Sequence, residues 1–357
     1  MKAFIVGDLQ ASIWGQQVTP DGVNQRLMDL IEQLYRIRDL ANARGVGWVF
    51  IVGDIFEERG KLDVVVLTLL IRCLWSFRKL GIDVVLLVGN HDRIPAGEFH
   101  SLEALRRVVA GVVDKPTMLM CDKINVLALP YDPEPRRTAK KLKTLGKDAE
   151  LILLHVAVKG VRLPSGERWD EGIRLKQIPK KPVVLMGHDH HHKKLRKKVW
   201  YVGSLLQLDW GDVGVDKVFA EYNSKTKAIK WHKSTGPKFI NIGMKKSKKI
   251  IPILFRNSKK LRKKFKGNFI RLNYDGPGEF TGKLKRIILE KCEARSVELV
   301  QTPLAANTAA TASKGERLHQ MMKKVVASAD ESDRGSLLEL GGSILSEAMH
   351  ESRLQKS

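Results

Sequence analysis

The sequence predicts a layered α/β fold, followed by a smaller α+β domain and a C-terminal pair of helices. The prediction rests on five short apolar runs in the first 190 residues, on helical patterns between them, and on later shifts in composition. Buried strands that alternate with amphipathic helices are typical of sheets covered by helices. We expect a main domain over 1–235, a basic domain over 236–303, a linker over 304–314 and a helical segment over 315–357.

The five apolar runs predict buried strands. Each is rich in Val, Ile and Leu and too continuous for a strand with one face in water. The runs are AFIVGD (3–8), WVFIVGD (48–54), VVLLVGNHD (84–92), LILLHV (151–156) and VVLMGHDH (183–190). NQRLMDLIEQLYRIRDLANA places its Leu and Ile residues on one helical face, and SLEALRRVVAGVV, after Asp92, is also expected to be helical.

The second half of the chain changes in character. VWYVGSLLQLDWG, KVFAEYN and AIKWHK predict strands to about residue 233. From Lys238 to Lys266 there are twelve basic residues and no acidic one. NFIRLNYDG, KLKRIILEKCEA and SVELVQT then predict a small α+β domain. LAANTAATASKG is typical of a linker, and two amphipathic helices are expected beyond it.

The charge balance indicates a polyanionic partner. Lys and Arg number 63 against 39 Asp and Glu, a net charge of +24. Nucleic acid is the leading candidate, ahead of an acidic membrane surface or protein, and the alternative is a merely soluble basic surface. No apolar run approaches the roughly 18 residues of a membrane span, so no membrane partner is expected. The amino terminus is too briefly apolar for a secretory signal, and the three scattered cysteines favour a cytoplasmic location.

The stretch LMGHDHHHKKLRKK (185–198) has four histidines within five positions and then turns basic. Taken alone, it fits a metal site, a loose His-rich tract or a nucleic-acid-binding arm. The other apolar runs favour the metal site, because each also ends in a possible ligand. These residues are Asp8, Asp54, Asn90 with His91, His155, and His188 with His190. Because ligands gather outside the carboxyl ends of strands in α/β sheets, we expect these side chains to converge.

These motifs carry a resemblance to a known family. GD-x-Q (7–10), GD (53–54), GNHD (89–92), His155 and GH-x-H (187–190) resemble the calcineurin-like metallophosphoesterase pattern. The resemblance implies a metallophosphoesterase sandwich with two divalent ions, Mn²⁺ by expectation and Mg²⁺ as the alternative, which activate water for attack on phosphorus. It implies that His91 protonates the leaving oxygen. The implied ligands are Asp8, Asp54 and His190 for one ion, and Asp54, Asn90, His155 and His188 for the other.

One position departs from this pattern, because Gln10 stands where the family has histidine. An amide oxygen is a weaker ligand than imidazole for a transition metal, so we expect the first ion to be held loosely through Gln10. The alternative is a degenerate, metal-poor site. His191 and His192 are expected outside the ligand set, at the edge of a substrate groove or in solvent.

Two further segments resemble the SbcD-type DNA repair nuclease subunits. They are ALPYDPEP (128–135) and WYVGSLLQLDWGD (200–212), where Val202 replaces the proline of the family. The resemblance implies exonuclease and single-strand endonuclease activity, a homodimer, and an SbcC-like ATPase partner that binds the C-terminal helices. Gln10 and the compact length favour a bacteriophage or otherwise diverged member, which would act in the host cytoplasm.

The basic segments are interpreted as contacts to DNA phosphates, which give affinity independent of sequence. The alternatives are a metallophosphoesterase that acts on nucleotides or phosphoproteins, and a metal-poor scaffold that bridges DNA and the ATPase. The residues assigned to DNA are Lys193, Lys194, Arg196, Lys197, Lys245, Lys246, Lys248, Lys249, Lys259, Lys260, Arg262, Lys263 and Lys264.

Overall fold

The computed structural model describes residues 1–15, 17–94, 99–163, 166–275 and 278–301. The chain divides into two compact units, and the division falls after Pro237. The expected linker over 304–314 and the expected helical pair over 315–357 lie outside the described residues.

Strands and helices alternate along much of the described chain. The strands are β1 (Lys2–Val6), β2 (Trp48–Ile51), β3 (Asp83–Leu87), β4 (Gly111–Val113), β5 (Thr117–Cys121), β6 (Ile124–Leu129), β7 (Leu151–His155), β8 (Val183–Gly187), β9 (Lys193–Arg196), β10 (Val199–Tyr201), β11 (Val218–Asn223), β12 (Ala228–Lys233), β13 (Phe239–Ile242), β14 (Phe269–Tyr274) and β15 (Ser296–Gln301). The α-helices are α1 (Gln25–Arg44), α2 (Val64–Lys79), α3 (Pro135–Leu145), α4 (Met244–Asn257), α5 (Lys259–Phe265) and α6 (Glu279–Arg286).

The first unit is built on two six-stranded sheets. One has the order β12-β11-β1-β2-β3-β4, and the other has the order β5-β6-β7-β8-β10-β9. Strands β1 to β4 are parallel to one another, and so are β6, β7, β8 and β10. The antiparallel pairs lie toward the sheet edges. The five predicted strands are therefore divided between two sheets, three in the first and two in the second.

The two sheets pack face to face and bury the apolar side chains between them. Ile5 and Phe50 of the first sheet belong to the same cluster as Leu153 and Leu185 of the second. Alternate residues point the other way, where α1 and α2 cover the first sheet and α3 covers the second. Both faces of the central strands are thus buried, which is why their sequences are continuously apolar. The predicted layered α/β sandwich is confirmed.

Local signals set the ends of the helices on the first sheet. The side chain of Asn24 accepts a hydrogen bond from the backbone of Leu27, and α1 ends at Gly45 with φ 62°. The carboxylate of Asp63 accepts hydrogen bonds from the backbone of Val65 and Val66 at the start of α2. Such caps satisfy backbone groups that a helix end leaves free.

Two predicted elements were wrong in detail. The segment 101–113 is a short 3-10 turn over Ser101–Leu105 and then β4, because β-branched valines and Gly111 favour a strand over a helix. After β10 the strand expected to continue beyond Tyr201 stops, and the chain is irregular as far as a 3-10 turn at Trp210–Asp212. Gly203, with φ 87°, breaks the strand there.

The second unit has a three-stranded parallel sheet of order β13-β14-β15. Helices α4 and α5 connect the first two strands, and α6 followed by a π turn over Ile287–Lys291 connects the last two. Leu254, Phe265, Ile270 and Leu284 are buried in one core that belongs to this unit. Among the described helices of the whole chain, none is long and apolar enough to cross a membrane.

Candidate metal centre

The predicted ligands converge at one end of the sandwich. They lie at or just after the ends of β1, β2 and β3 in the first sheet and of β7 and β8 in the second, where the parallel strands of both sheets end. Two groups of ligand atoms form there, and within each group the atoms lie within 4.8 Å of one another. One group is Asp54, His155 and His188, and the other is Asp8, Asp54 and His190. Asp54 therefore belongs to both groups.

The first group closes around the side chain of Asn90. Its Oδ1 atom lies 2.9 Å from His155 Nε2 and 2.7 Å from His188 Nδ1. The two ring nitrogens are 3.3 Å apart, and His155 Nε2 lies 3.4 Å from Asp54 Oδ2. The side chains of His155 and Asp54 are almost completely buried. This arrangement gathers two imidazoles, one amide oxygen and one carboxylate.

Gln10, the position that departs from the resembled pattern, lies beside the second group. Gln10 Nε2 lies 3.2 Å from Asp54 Oδ2 and 3.3 Å from His190 Nε2. A half-turn of this amide would exchange its oxygen and nitrogen atoms. The amide of Gln10 therefore stands among the ligands, where either end can face the site.

A backbone contact fixes which nitrogen of His155 faces the site. His155 Nδ1 lies 2.8 Å from the carbonyl oxygen of Val52. A carbonyl oxygen can only accept a hydrogen bond, so the Nδ1 atom of His155 carries the hydrogen. The Nε2 atom then faces Asp54 and Asn90. Metal-binding histidines commonly have such a backbone partner, which fixes the ring.

Buried Asp92 joins the two loops that carry Asp54 and Asn90. Its Oδ2 accepts from the backbone of Gly89 at 2.8 Å, and its Oδ1 accepts from the backbone of Ile55 and Phe56. A Cβ atom at position 89 would lie 2.1 Å from Asp54 Oδ1, so only glycine fits there. In the GNHD motif, Gly89 and Asp92 therefore shape the backbone around the expected ligand Asn90.

Three residues of the centre have positive φ angles. The values are 50° at Gln10, 49° at Asp54 and 91° at His188. A residue with a side chain has a higher conformational energy at positive φ than glycine does. Backbone strain of this kind is common at functional sites.

Burial and the charges of neighbouring groups shift the pKa values of four residues in the centre. Burial raises the pKa of Asp8, and the nearby Asp54 raises it further. Burial also acts to raise the pKa of Asp54, but His155 outweighs it and the pKa falls below its usual range. Burial acts to lower the pKa of His155, but Asp54 raises it to about 9. Burial and the charge of His155 lower the pKa of His188 to about 3.

His91 lies beside the ligands rather than among them. Its backbone nitrogen donates to Asp54 Oδ1 at 2.9 Å, and its ring Nδ1 lies 2.7 Å from the carbonyl oxygen of Glu57. By the same argument as for His155, Nδ1 carries a hydrogen. The proton at Nε2 is then the one that the ring can give or take.

Sequence reasoning missed two aromatic neighbours of the centre. The ring of Tyr131 stacks on His188 with centroids 6.2 Å apart, and the ring of Trp169 lies 4.9 Å from His188. Tyr131 lies in the segment ALPYDPEP (128–135), in which the sequence indicates no metal ligand. Trp169 lies in a loop, where no apolar periodicity marks it.

A buried ion pair supports the loop that carries His190. Lys217 Nζ lies 2.6 Å from Asp212 Oδ1 and donates to the carbonyl oxygen of His190 at 2.8 Å. His191 Nε2 lies 3.1 Å from the same Asp212 oxygen, and the ring of His192 packs on Trp231 at 4.1 Å. His191 and His192 belong to neither ligand group, and both are half-buried. Their place at the edge of a substrate groove stays a prediction.

The basic residues assigned to DNA fall in different surroundings. Lys193 Nζ lies 2.7 Å from Asp189 Oδ2, and the guanidinium of Arg196 donates to the carbonyl oxygens of Ile178 and Pro179. Lys194 lies over the ring of Trp200 at 5.8 Å. Lys197 is on the turn between β9 and β10.

In the second unit, the assigned cations lie on the exposed faces of α4 and α5. Lys248 pairs with Asp275 and Arg262 with Glu293. The others in this group are Lys245, Lys246, Lys249, Lys259, Lys260, Lys263 and Lys264, all exposed.

The residues fit a pair of divalent cations. Asp8 Oδ2 and Gln10 Oε1 are buried without a hydrogen-bond partner among the described residues, and buried polar atoms normally have one. Mixed carboxylate, amide and imidazole donors suit divalent metals, and Asp54 stands where a carboxylate could serve two ions.

Fold and site together define a metal-dependent phosphoesterase. The chain belongs to the calcineurin-like phosphoesterase family, whose model matches residues 1–210.

Two viral proteins are similar to this chain. The first, "Putative phosphoesterase 244L" of Invertebrate iridescent virus 6, is 25% identical over 225 residues, which cover 59% of this chain and 72% of that protein. The second, "Putative phosphoesterase 078R" of Invertebrate iridescent virus 3, is 25% identical over 191 residues. This match covers 49% of this chain and about half, 52%, of the viral protein.

Two solved structures are also similar. The nuclease MPE of Pseudomonas putida matches with 17% identity and a TM-score of 0.28, over 64% of this chain and 87% of that one. A protein of unknown function, AQ665 of Aquifex aeolicus, matches with 13% identity and a TM-score of 0.23, over 51% and 90% of the respective chains.

Proposed function

We propose that this phosphoesterase is a DNA nuclease that hydrolyses phosphodiester bonds, as the nuclease subunit of an SbcCD-like complex for processing DNA ends. The observation that carries the catalytic part is the pair of ligand groups that share Asp54. Such a pair suits a two-metal hydrolysis, in which bound ions neutralise the phosphate and lower the pKa of a water. Asp8, Asp54 and His190, with Gln10, would hold one ion, and Asp54, Asn90, His155 and His188 would hold the other.

The protein's own groups position the reaction. The backbone nitrogen of His91 donates a hydrogen bond to Asp54 Oδ1, so that Asp54 Oδ2 faces Gln10 on one side and His155 on the other. His91 is oriented by the carbonyl oxygen of Glu57, so that Nε2 can hold the proton given to the leaving oxygen. The ring of Trp169 beside His188 offers a flat surface on which a nucleobase could stack.

Charge supports DNA as the substrate. The net charge is +24, and α4 and α5 present a dense set of exposed lysines. A phosphate backbone attracts such a surface without regard to sequence, as a nuclease acting on any DNA end requires. A small phosphomonoester would gain little from it.

A substrate panel tests the proposal. Linear duplex DNA, single-stranded DNA, a nucleoside monophosphate, a cyclic nucleotide and a phosphopeptide would each be incubated with Mn²⁺, Mg²⁺ or EDTA. We expect metal-dependent cleavage of DNA, and none in EDTA. Turnover of the nucleotides or the phosphopeptide, with DNA left intact, would favour the alternative phosphoesterase. DNA binding without turnover of any substrate would favour the scaffold.

The ATPase partner and the homodimer are separate parts of the proposal. An SbcC-like ATPase would open duplex ends and deliver them to the metal centre. Co-purification of the full chain with an ATPase from its own host would support this part, and light scattering of the isolated protein would measure its oligomeric state. A monomer that binds no ATPase would contradict both, while the substrate panel would still report on the nuclease activity.

A further inference from the structure

A second basic feature lies on the first unit, between α3 and the 3-10 turn at Leu175–Gln177. It is a cleft of about 660 Å³, and no ligand of the metal centre lines it. Six of its lining residues are cations and none is acidic. The cations are Arg136, Lys140, Lys143, Lys147, Lys176 and Lys180.

The spacing of α3 explains one wall of this cleft. Thr138, Ala139 and Leu142 are buried against the second sheet. Arg136, Lys140 and Lys143 are exposed and recur at intervals of four and three residues. At a rise of 1.5 Å per residue, their Cα atoms are spaced by about 4.5–6 Å along the helix axis. The cleft thus carries a row of positive charges rather than a single point charge.

The segment that carries Lys176 and Lys180 forms the other wall, and Arg196 holds it in place. The guanidinium of Arg196 donates hydrogen bonds to the carbonyl oxygens of Ile178 and Pro179, both at 2.6 Å. It also reaches the carbonyl oxygen of Leu175 at 3.4 Å. These bonds fix the segment that carries Lys176 and Lys180. Arg196, which the sequence assigned to DNA, therefore has a structural role in shaping the cleft.

The six cations are not neutralised by the part of the protein that the structure describes. All six side chains are exposed, and none forms an ion pair with a described residue. A group of cations held close together repels itself, and a bound polyanion would relieve that repulsion.

We propose that this cleft binds the phosphate backbone of a nucleic-acid strand as a contact separate from the metal centre. A row of charges matches an extended polyanion better than a single phosphate. Of the apolar residues of the lining, Ala139, Leu142 and Ile178 are buried and Pro179 is half-buried, so the cleft has no large exposed apolar side chain to insert into a lipid surface. The inference extends the proposed function by adding a second contact for the nucleic acid, and it rests on nucleic acid being the substrate.

The test measures binding without catalysis. A labelled single-stranded oligonucleotide of mixed sequence would be titrated in EDTA with the full-length protein, with the triple variant K140Q/K143Q/K176Q and with the control K79Q/K225Q/K230Q. The control removes the same charge from exposed lysines outside the cleft. We expect the cleft variant to lose roughly tenfold in affinity at moderate salt. The slope of log K against log salt should also become less negative by about 2, as expected for three lost contacts.

Three results would overturn the inference. They are an unchanged affinity and salt slope, an equal loss in the control, and weaker binding of anionic phospholipid vesicles by the cleft variant with oligonucleotide binding unchanged. Circular dichroism would show that both variants fold. Because EDTA prevents hydrolysis, a failure of nuclease activity in the substrate panel would not alter this measurement.

Discussion

The Nε2 atom of His155 lies 3.4 Å from the Oδ2 atom of Asp54, although His155 ends a strand of one sheet and Asp54 follows a strand of the other. This pair joins the two halves of the sandwich at the metal centre. It also couples the charge of a buried histidine to the carboxylate that both ligand groups share.

The shared carboxylate is the most sensitive position. We expect Asp54→Ala to lower metal-dependent phosphodiester hydrolysis by roughly a thousandfold or more, because both ions lose a ligand. Mn²⁺ at a hundred times its Kd should stabilise the natural protein by about 2.7 kcal/mol and the variant by far less. Differential scanning calorimetry with and without Mn²⁺ measures this. The exposed Asp21→Ala is the control, and equal stabilisation of both variants would contradict the role of Asp54.

The amide of Gln10 marks the weaker half of the centre. Because it lies 3.3 Å from His190 Nε2, Gln10→His should bring an imidazole to the same ligand group. We expect the Kd for Mn²⁺ at this half to fall by roughly tenfold, since imidazole is the better ligand for a transition metal. Calorimetric titration would resolve the change, with Gln10→Ala as the comparison. Identical Kd values in all three proteins would mean that residue 10 is no ligand.

The proposed acid can be separated from the ligands by choice of substrate. We expect His91→Ala to bind Mn²⁺ normally and to lose about 10²–10⁴-fold in kcat on DNA. A diester with a nitrophenolate leaving group needs little protonation, so the loss on that substrate should be much smaller. A loss of the same size on both substrates would show that His91 acts in another way.

Lys217 is expected to position His190 through the backbone. Lys217→Met leaves the buried Asp212 with His191 as its remaining basic partner, and breaking a buried ion pair costs up to about 3–5 kcal/mol of folding free energy. The double variant Lys217→Met/Asp212→Leu should recover much of that stability. It should still bind Mn²⁺ more weakly, because the bond to the His190 carbonyl is lost. Denaturant unfolding together with a Mn²⁺ titration tests this, and full recovery of both properties would leave Lys217 with no positioning role.

Glu221 gives the fold a defined pH dependence. Burial acts to raise its pKa, but hydrogen bonds from Arg44 and His232 outweigh it and lower the pKa below 4.5. Its contribution to stability is therefore present above about pH 4.5 and is lost as pH falls through the lowered value.

Glu221→Gln should accordingly cost about 1 kcal/mol at neutral pH, and the difference should shrink in acid. Urea unfolding of both proteins at several pH values measures it. Glu58, whose side chain is 55% exposed, supplies the control: Glu58→Gln should change the free energy of unfolding little at any pH. A difference for Glu221→Gln that grew in acid would contradict the assignment.

Much of the fold was predictable because its signals are local. The central strands are buried on both faces, so continuous apolar runs identified them, and the confirmed layered class followed from the helices between them. The polar residues at the ends of those runs were also visible. The structure brings Asp8, Asp54, His155, His188 and His190 together, as parallel strand ends would require.

Other features depend on contacts that no local pattern encodes. The division of the five strands between two sheets depends on which strands form hydrogen bonds with each other. A strand buried on both faces has the same apolar sequence pattern in either sheet. Arg196 sat in a basic run typical of DNA contacts, yet carbonyl groups from a distant segment bind it. The prediction for the segment 101–113 was wrong because the spacing of its apolar residues also fits one face of a helix, and no local pattern shows that Gly111–Val113 pairs with β3.

The positive φ angles at Gln10, Asp54 and His188 carry a wider consequence. Glycine would adopt these backbone conformations at a lower cost, so the most relaxed version of this chain would lack three of its polar groups at the metal centre. Selection of variants for thermal stability alone would therefore favour glycine at these positions and yield a protein without an intact metal centre. A thermostable derivative would have to gain its resilience elsewhere, in loops and surface positions remote from these three residues.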